Sequence, residues 1–285
     1  MTIHPSDIGA LRFAHQAMAT EFEIFCVHAD REYAQQAAWA AFDLLDRLEK
    51  ELSRFIENSD ISRINSLAAG ESVRVSRWTM ECLQIARLAH AETHGAFDIS
   101  LGTGLDRLRL SDFIVRATAN GVRLDLGGIG KGYAVDRMAE VLREWDIHGA
   151  LIHGGHSSVL AMDAPPGFDG WPLTMDDRTL HARRRVISAS GIRKGAHIID
   201  PRTGQPAQVR MGAWVSAELD GSPSPSAMVE AYSTAFMILS DEEVAWICAK
   251  HPRLEVWSQE PGGARHLGDR APQEIRKTVC PQNSD

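Results

Sequence analysis

Residues 121–144 read GVRLDLGGIGKGYAVDRMAEVLRE. The first six alternate apolar and polar side chains, the pattern of a strand with one buried face. From Gly132 onward Val135, Met138, Ala139 and Leu142 recur at three- and four-residue steps, as on a helix with one apolar side. Between the two, Gly127, Gly128, Gly130 and Gly132 surround Lys131. The stretch therefore predicts strand, glycine turn and helix. Such a junction lets backbone N–H groups and a helix N-terminus approach an anion, which suits a phosphate. It is not a Walker A loop, because Gly132 stands where Ser or Thr should follow the lysine, and it does not fit GxGxxG. Spacing alone leaves a structural turn and a phosphate site both open.

Upstream, residues 11–28 predict a first strand, with Phe22, Ile24 and Cys26 on one face. Residues 31–53 predict a long helix carrying Phe42, Leu45, Leu48 and Leu52 on its apolar side. Ser59 or Asp60 can cap a short helix, and a further helix over 77–93 is closed by His94-Gly95. Downstream, 149–162 predicts two short strands broken at Gly154-Gly155. The Pro-, Asp- and Arg-rich section 163–190 holds strand-like pieces such as LTM and RVISAS. A strand around 210–219, a helix from near Ser226 and a short helix over 241–251 follow. With no internal repeat and no linker, the mixture predicts one α+β domain over 13–262, as one body or two interwoven subdomains, and a tail over 263–285.

The chain has 285 residues, 44% of them hydrophobic and 24% charged. That is ample apolar material for a real core and excludes disordered, collagen-like and coiled-coil classes. A net charge of −8 argues against a nucleic-acid binder, which needs a basic face. No stretch reaches the about 18 apolar residues of a membrane span. The N-terminus lacks the pattern of a secretory signal, so a cytoplasmic location is expected. Cys26, Cys82, Cys248 and Cys280 stand far apart, without disulfide-scaffold or zinc spacing.

Three further segments can carry chemistry. HIIDPRTG places His197, Asp200 and Arg202 within six positions, as acid–base work requires, although an Asp-Pro turn with a locally bonded Asp200 explains the same spacing. Glu230 and Thr234 lie four apart in MVEAYSTAF, so a helix brings their oxygens to one face, where they could hold Mg²⁺ or simply bond within the helix. GAFD, Gly95 to Asp98, by itself indicates a turn. His148, His153 and His156 lack any supporting carboxylate and are read as locally bonded rather than as a metal cluster.

In order along the chain, these segments resemble the ApbE family, the FAD:protein FMN transferases. Met18-Ala19-Thr20 is similar to its opening Met-Gly-Thr, with Ala19 in place of glycine. Ser53-Arg54-Phe55 and the run from Ser59 to Asn65 resemble its Ser-x-aromatic and Ser-acid-Ile segments. Gly95 to Asp98 is its GAFD, and Leu124 to Asp136 its most specific stretch. Gly154-Gly155, Ser190-Gly191, HIIDPRTG and Glu230-x-x-x-Thr234 follow in the expected order.

The resemblance implies an α+β body of mixed β-sheets packed with helices, related to the T-fold. It also implies an enzyme that binds FAD, uses Mg²⁺ across the pyrophosphate and transfers FMN to a threonine hydroxyl of an acceptor flavoprotein, releasing AMP. It places Met18, Phe55, Ala96, Phe97, Asp98, Asp125 and Lys131 at FAD contacts, the Gly128 carbonyl, Glu230 and Thr234 at the metal, and His197 as base with Asp200 beside it. Where the family usually has aspartate, this chain has Glu230. His156 follows the paired glycines, and the hairpin before His197 is short. A related hydrolase that splits FAD into FMN and AMP, and a non-catalytic FAD carrier, are the alternative readings.

Overall fold

The computed structural model describes residues 8–175, 178–192, 198–207, 210–260 and 263–267. The chain opens with a hairpin of β1 (Leu11–Ala17) and β2 (Thr20–Cys26), where one expected strand becomes two around Met18-Ala19. Helix α1 (Arg31–Leu52) starts at Asp30, whose side chain accepts the N–H groups of Glu32 and Tyr33. Then come α2 (Asp60–Asn65), capped by Ser59, β3 (Ser72–Arg74) and α3 (Arg77–Glu92), capped by Ser76. After α3, Gly95 adopts φ +80° and returns its N–H to the His90 carbonyl, the left-handed helix ending that its position predicts. Strands β4 (Leu108–Ser111) and β5 (Ile114–Ala117) join β3 in a small sheet of order β3-β5-β4.

The second half supplies most of the main sheet. Helix α4 (Gly130–Glu144) precedes β6 (Ala150–Gly154) and β7 (Ser158–Ala161). A hairpin of β8 (Trp171–Met175) and β9 (Arg178–Ala182) leads to β10 (Arg185–Gly191). A short pair, β11 (Ile199–Asp200) with β12 (Gln205–Pro206), comes before β13 (Gly212–Glu218). Helices α5 (Pro225–Ala235) and α6 (Asp241–Lys250) and strands β14 (Leu254–Glu260) and β15 (Gly263–His266) complete it. The eight-stranded sheet runs β1-β2-β6-β7-β10-β13-β14-β15, with its neighbours antiparallel.

Side chains alternate across that sheet, and both faces are covered. Phe22, Ile24, Ile152, Leu160, Val186 and Val215 point into the large core under α1, α4 and α5. Phe25, Leu151, Val159 and Ile187 point the other way, into a smaller core closed by Trp171 and Leu173 of β8. Burial on both sides leaves β6 and β7 buried throughout rather than alternating, with His153 and Ser158 as their polar side chains.

Two expectations change. Residues 121–126 do not join a sheet. Asn65 takes the partner strand's place: its side-chain oxygen accepts the Leu124 N–H at 2.6 Å and its Nδ2 donates to the Leu124 carbonyl at 3.0 Å. The Asp125 N–H goes to the Ile99 carbonyl at 2.7 Å. The segment is extended and satisfied, but by a side chain and a loop. Residues 263–266, expected in the tail, pair with β14 as β15.

Candidate functional site

Helices α4 and α5 cross so closely that a Cβ on Gly132 would lie 2.4 Å from the Ser226 carbonyl oxygen. Only glycine permits that approach. Neither helix start is capped by its own preceding side chain, Ile129 or Ser224. Each is capped by the other helix instead. The Glu230 carboxylate, on α5, accepts the Gly132 N–H at 2.6 Å. The Asp136 carboxylate, on α4, accepts the Ser226 and Ala227 N–H groups at 3.0 Å each. Burial pushes the Asp136 carboxyl up to about 7, against the opposing pull of those bonds and of Arg137. This exchange fixes Glu230, only 3% exposed, at the mouth of the glycine turn.

The Lys131 ammonium is in contact with the other Glu230 oxygen and lies 3.4 Å from the Gly127 carbonyl. One helical turn past Glu230, the Thr234 hydroxyl stands against the turn: a Cβ on Gly128 would be 3.4 Å from its Oγ1. Thr234 shares a hydroxyl cluster with Ser190 and Ser233, its Oγ1 lying 3.3 Å from Ser190 Oγ, which is 2.9 Å from Ser233 Oγ.

These groups open onto a cavity of about 900 Å³. Met18, Ala96, Phe97, Asp98, Asp125, Gly128, Lys131, Glu230 and Thr234 all line it, so most of the residues singled out in sequence meet at one place. Their roles differ. The Asp98 carboxylate accepts the Ser100 N–H at 2.8 Å, the Ser100 hydroxyl at 2.9 Å and the Gly102 N–H at 3.0 Å, and so builds the loop of the cavity wall. The Asp125 carboxylate accepts the Gly127 N–H at 2.8 Å and pairs with Arg54 Nε at 2.8 Å.

Phe55 does not line the cavity. It is 80% exposed, with the Arg54 guanidinium 4.1 Å above its ring. Asp200 is turned away as well, although its neighbours Ile199 and Pro201 line the wall. Its carboxylate accepts three N–H bonds from Arg202, at 2.9, 3.0 and 3.0 Å, which hold it below the usual carboxylate range. His197 lies outside the described residues. Sequence reasoning passed over Arg54, although it sits inside the quoted Ser53-Arg54-Phe55 segment. Spacing carries no signal for Ser190 in the hydroxyl cluster, nor for Asp136 as a cap of the neighbouring helix.

A divalent metal fits the donor set. Gly128, Glu230 and Thr234 line the same cavity and offer hard oxygens of three kinds, backbone carbonyl, carboxylate and hydroxyl, and Mg²⁺ needs few protein ligands when a substrate phosphate supplies the rest. Among the described residues no group of three or more His, Cys, Asp or Glu side chains could hold a metal, so any site here relies on that mixed oxygen set. Cys26, Cys82 and Cys248 are buried. Among the same residues no helix is long and apolar enough to cross a membrane.

Solved structures share the fold. The flavin transferase ApbE from Vibrio cholerae aligns with a TM-score of 0.76 at 20% identity, covering 90% of this chain and 96% of that one. The apo form of the Pseudomonas stutzeri flavinyl transferase ApbE aligns with a TM-score of 0.79 at 20% identity, over 90% and 95%. The sequence profile of the ApbE family matches residues 18–113 and 101–257. The chain belongs to the ApbE family. Among its relatives, the FAD:protein FMN transferase of Buchnera aphidicola is 22% identical over 215 residues, 57% of this chain and 62% of that protein. The Klebsiella pneumoniae protein of the same name is 26% identical over 216 residues, 61% and 68%.

Proposed function

We propose that this chain is an FAD:protein FMN transferase, moving the FMN half of FAD onto a threonine hydroxyl of an acceptor flavoprotein and releasing AMP. The carrying observation is the convergence of Glu230, Thr234, Gly128 and Lys131 on one wall of the 900 Å³ cavity. A cavity of that size is at the upper end for ligand sites and suits a dinucleotide. The names of the Buchnera and Klebsiella relatives supply the donor and the kind of acceptor.

In this reading the acceptor oxygen forms a bond to the FMN phosphorus, the bond to the bridging oxygen breaks, and AMP leaves with that oxygen. Phosphoryl transfer asks the protein mainly for positioning and charge neutralisation. Glu230, Thr234 and the Gly128 carbonyl would hold Mg²⁺, which supplies part of that neutralisation when bound. Lys131 adds a second positive charge beside the pyrophosphate. Met18, Ala96 and Phe97 give the cavity apolar walls, Asp98 ties the loop at Ser100 and Gly102, and Asp125 ties the glycine turn to Arg54. Threonine is a weak nucleophile at neutral pH, and His197, by its place in the HIIDPRTG motif, takes its proton.

The test is AMP release from FAD, with Mg²⁺ and with EDTA, together with mass analysis of a threonine-bearing acceptor domain. Metal-dependent AMP release with a matching FMN adduct on the acceptor is expected. Glu230→Gln, which keeps an oxygen for the Gly132 N–H, should slow release by about a hundredfold or more. AMP with free FMN and no adduct would favour the hydrolase, whereas release indifferent to EDTA would overturn the metal assignment.

A further inference from the structure

Glu230 has two oxygens, and both are occupied within the protein. Gly132 donates to one and Lys131 contacts the other. A carboxylate 3% exposed would be costly without a positive partner, and Lys131 supplies it from a side chain 23% exposed. Yet the contacted oxygen, with the backbone of the glycine turn beside it, is the place a divalent cation would take. An ammonium and a metal ion cannot both sit in contact with that oxygen, because at a few ångström in a partly buried site their repulsion is large.

We propose that Lys131 is an internal counter-ion that holds the metal position in the flavin-free protein, and that the FAD pyrophosphate draws it away, so that metal and FAD bind with positive coupling. The proposal rests on the reading of Glu230 as a metal ligand. Lys131 is suited to the exchange. It is the second residue of α4, on a four-carbon stem, and it borders the cavity in which a pyrophosphate would lie. Its second oxygen partner, the Gly127 carbonyl at 3.4 Å, is a long contact that gives way easily. Once the ammonium pairs with phosphate, Glu230 regains a free oxygen on the cavity that Gly128 and Thr234 also line. Linkage then requires FAD to raise metal affinity by the same factor by which metal raises FAD affinity.

The experiment measures Mn²⁺ binding, by calorimetry and by the loss of the free-ion electron paramagnetic signal, on full-length wild type, Lys131→Met, Lys131→Arg and Glu230→Gln, each with and without FAD. Mn²⁺ takes the same hard oxygen ligands as Mg²⁺. Without FAD, Lys131→Met should bind Mn²⁺ about fivefold or more tightly than wild type, the lower range of typical couplings. Lys131→Arg, which keeps the charge, should not. FAD should tighten Mn²⁺ binding to wild type and lose most of that effect in Lys131→Met. The same variant should bind FAD more weakly when metal is absent, read by flavin fluorescence.

Equal or weaker Mn²⁺ binding by Lys131→Met, with Glu230→Gln abolishing binding, overturns the counter-ion and leaves the metal site standing. Mn²⁺ binding untouched by Glu230→Gln overturns the metal reading itself, and the counter-ion with it. Lys131→Gln replaces Lys131→Met if the latter does not show a native melting transition.

Discussion

Met18 and Ala19 form a two-residue turn between β1 and β2 with φ of 50° and 58°. Such a turn matches the twist of its strands but places both residues in the left-handed region, where a Cβ is strained. The Met18 N–H donates to Glu49 on α1 at 2.8 Å, which holds the turn at the cavity edge. Glycine adopts the left-handed region without the Cβ strain, so Ala19→Gly should raise stability by about 1 kcal/mol, seen as a higher urea midpoint at unchanged slope. A lower midpoint would mean that the alanine methyl is worth more than the strain. At this scale sequence motifs located the cavity well, because glycines, short loops and i,i+4 pairs act over a few residues. Motifs could not show that Asp98 serves its own loop or that Asp125 meets Arg54, since those depend on where distant turns come to lie.

Helices α4 and α5 are legible in sequence from their periodicity, but their mutual capping is not, because Asp136 and the N–H groups it accepts are 90 and 91 positions apart. The extended piece at 121–126 failed as a strand for the same reason: the pairing groups of Asn65 arrive from 59 positions away. Asp136 gives the pair of helices a pH dependence. An unfolded aspartate titrates near 4, whereas burial raises the folded one to about 7. Between those values the native state keeps a proton that the unfolded chain has released, so this group's contribution to stability falls as pH rises through the window. Asp136→Asn cannot titrate, and relative to it wild type should lose about 2 kcal/mol between pH 5 and pH 7 in urea titrations. A constant difference would place the carboxyl back in the ordinary range.

Across the whole molecule, three layers define the body: helices, an eight-stranded antiparallel sheet, and the β8–β9 hairpin over the sheet's far face. The α+β class was readable from the mixture of periodicities. The hairpin's covering role was not, because a Pro- and Asp-rich stretch reads as loop until Trp171 is seen wholly buried against Phe25 and Leu151. Trp171→Ala should cost about 3–5 kcal/mol in denaturant unfolding. FAD binding at low temperature should survive, since the cavity draws none of its lining from β8. Loss of flavin affinity in step with stability would show that the two faces are coupled. The crossed capping of α4 and α5 also bears on how such a protein changes through descent. Replacing Glu230 with an apolar residue strands the Gly132 N–H and the Lys131 ammonium as well as removing a ligand. Selection for a folded chain therefore guards this carboxylate even in a lineage that no longer handles flavin. Its persistence is weaker testimony to activity than that of Thr234, whose hydroxyl caps neither helix.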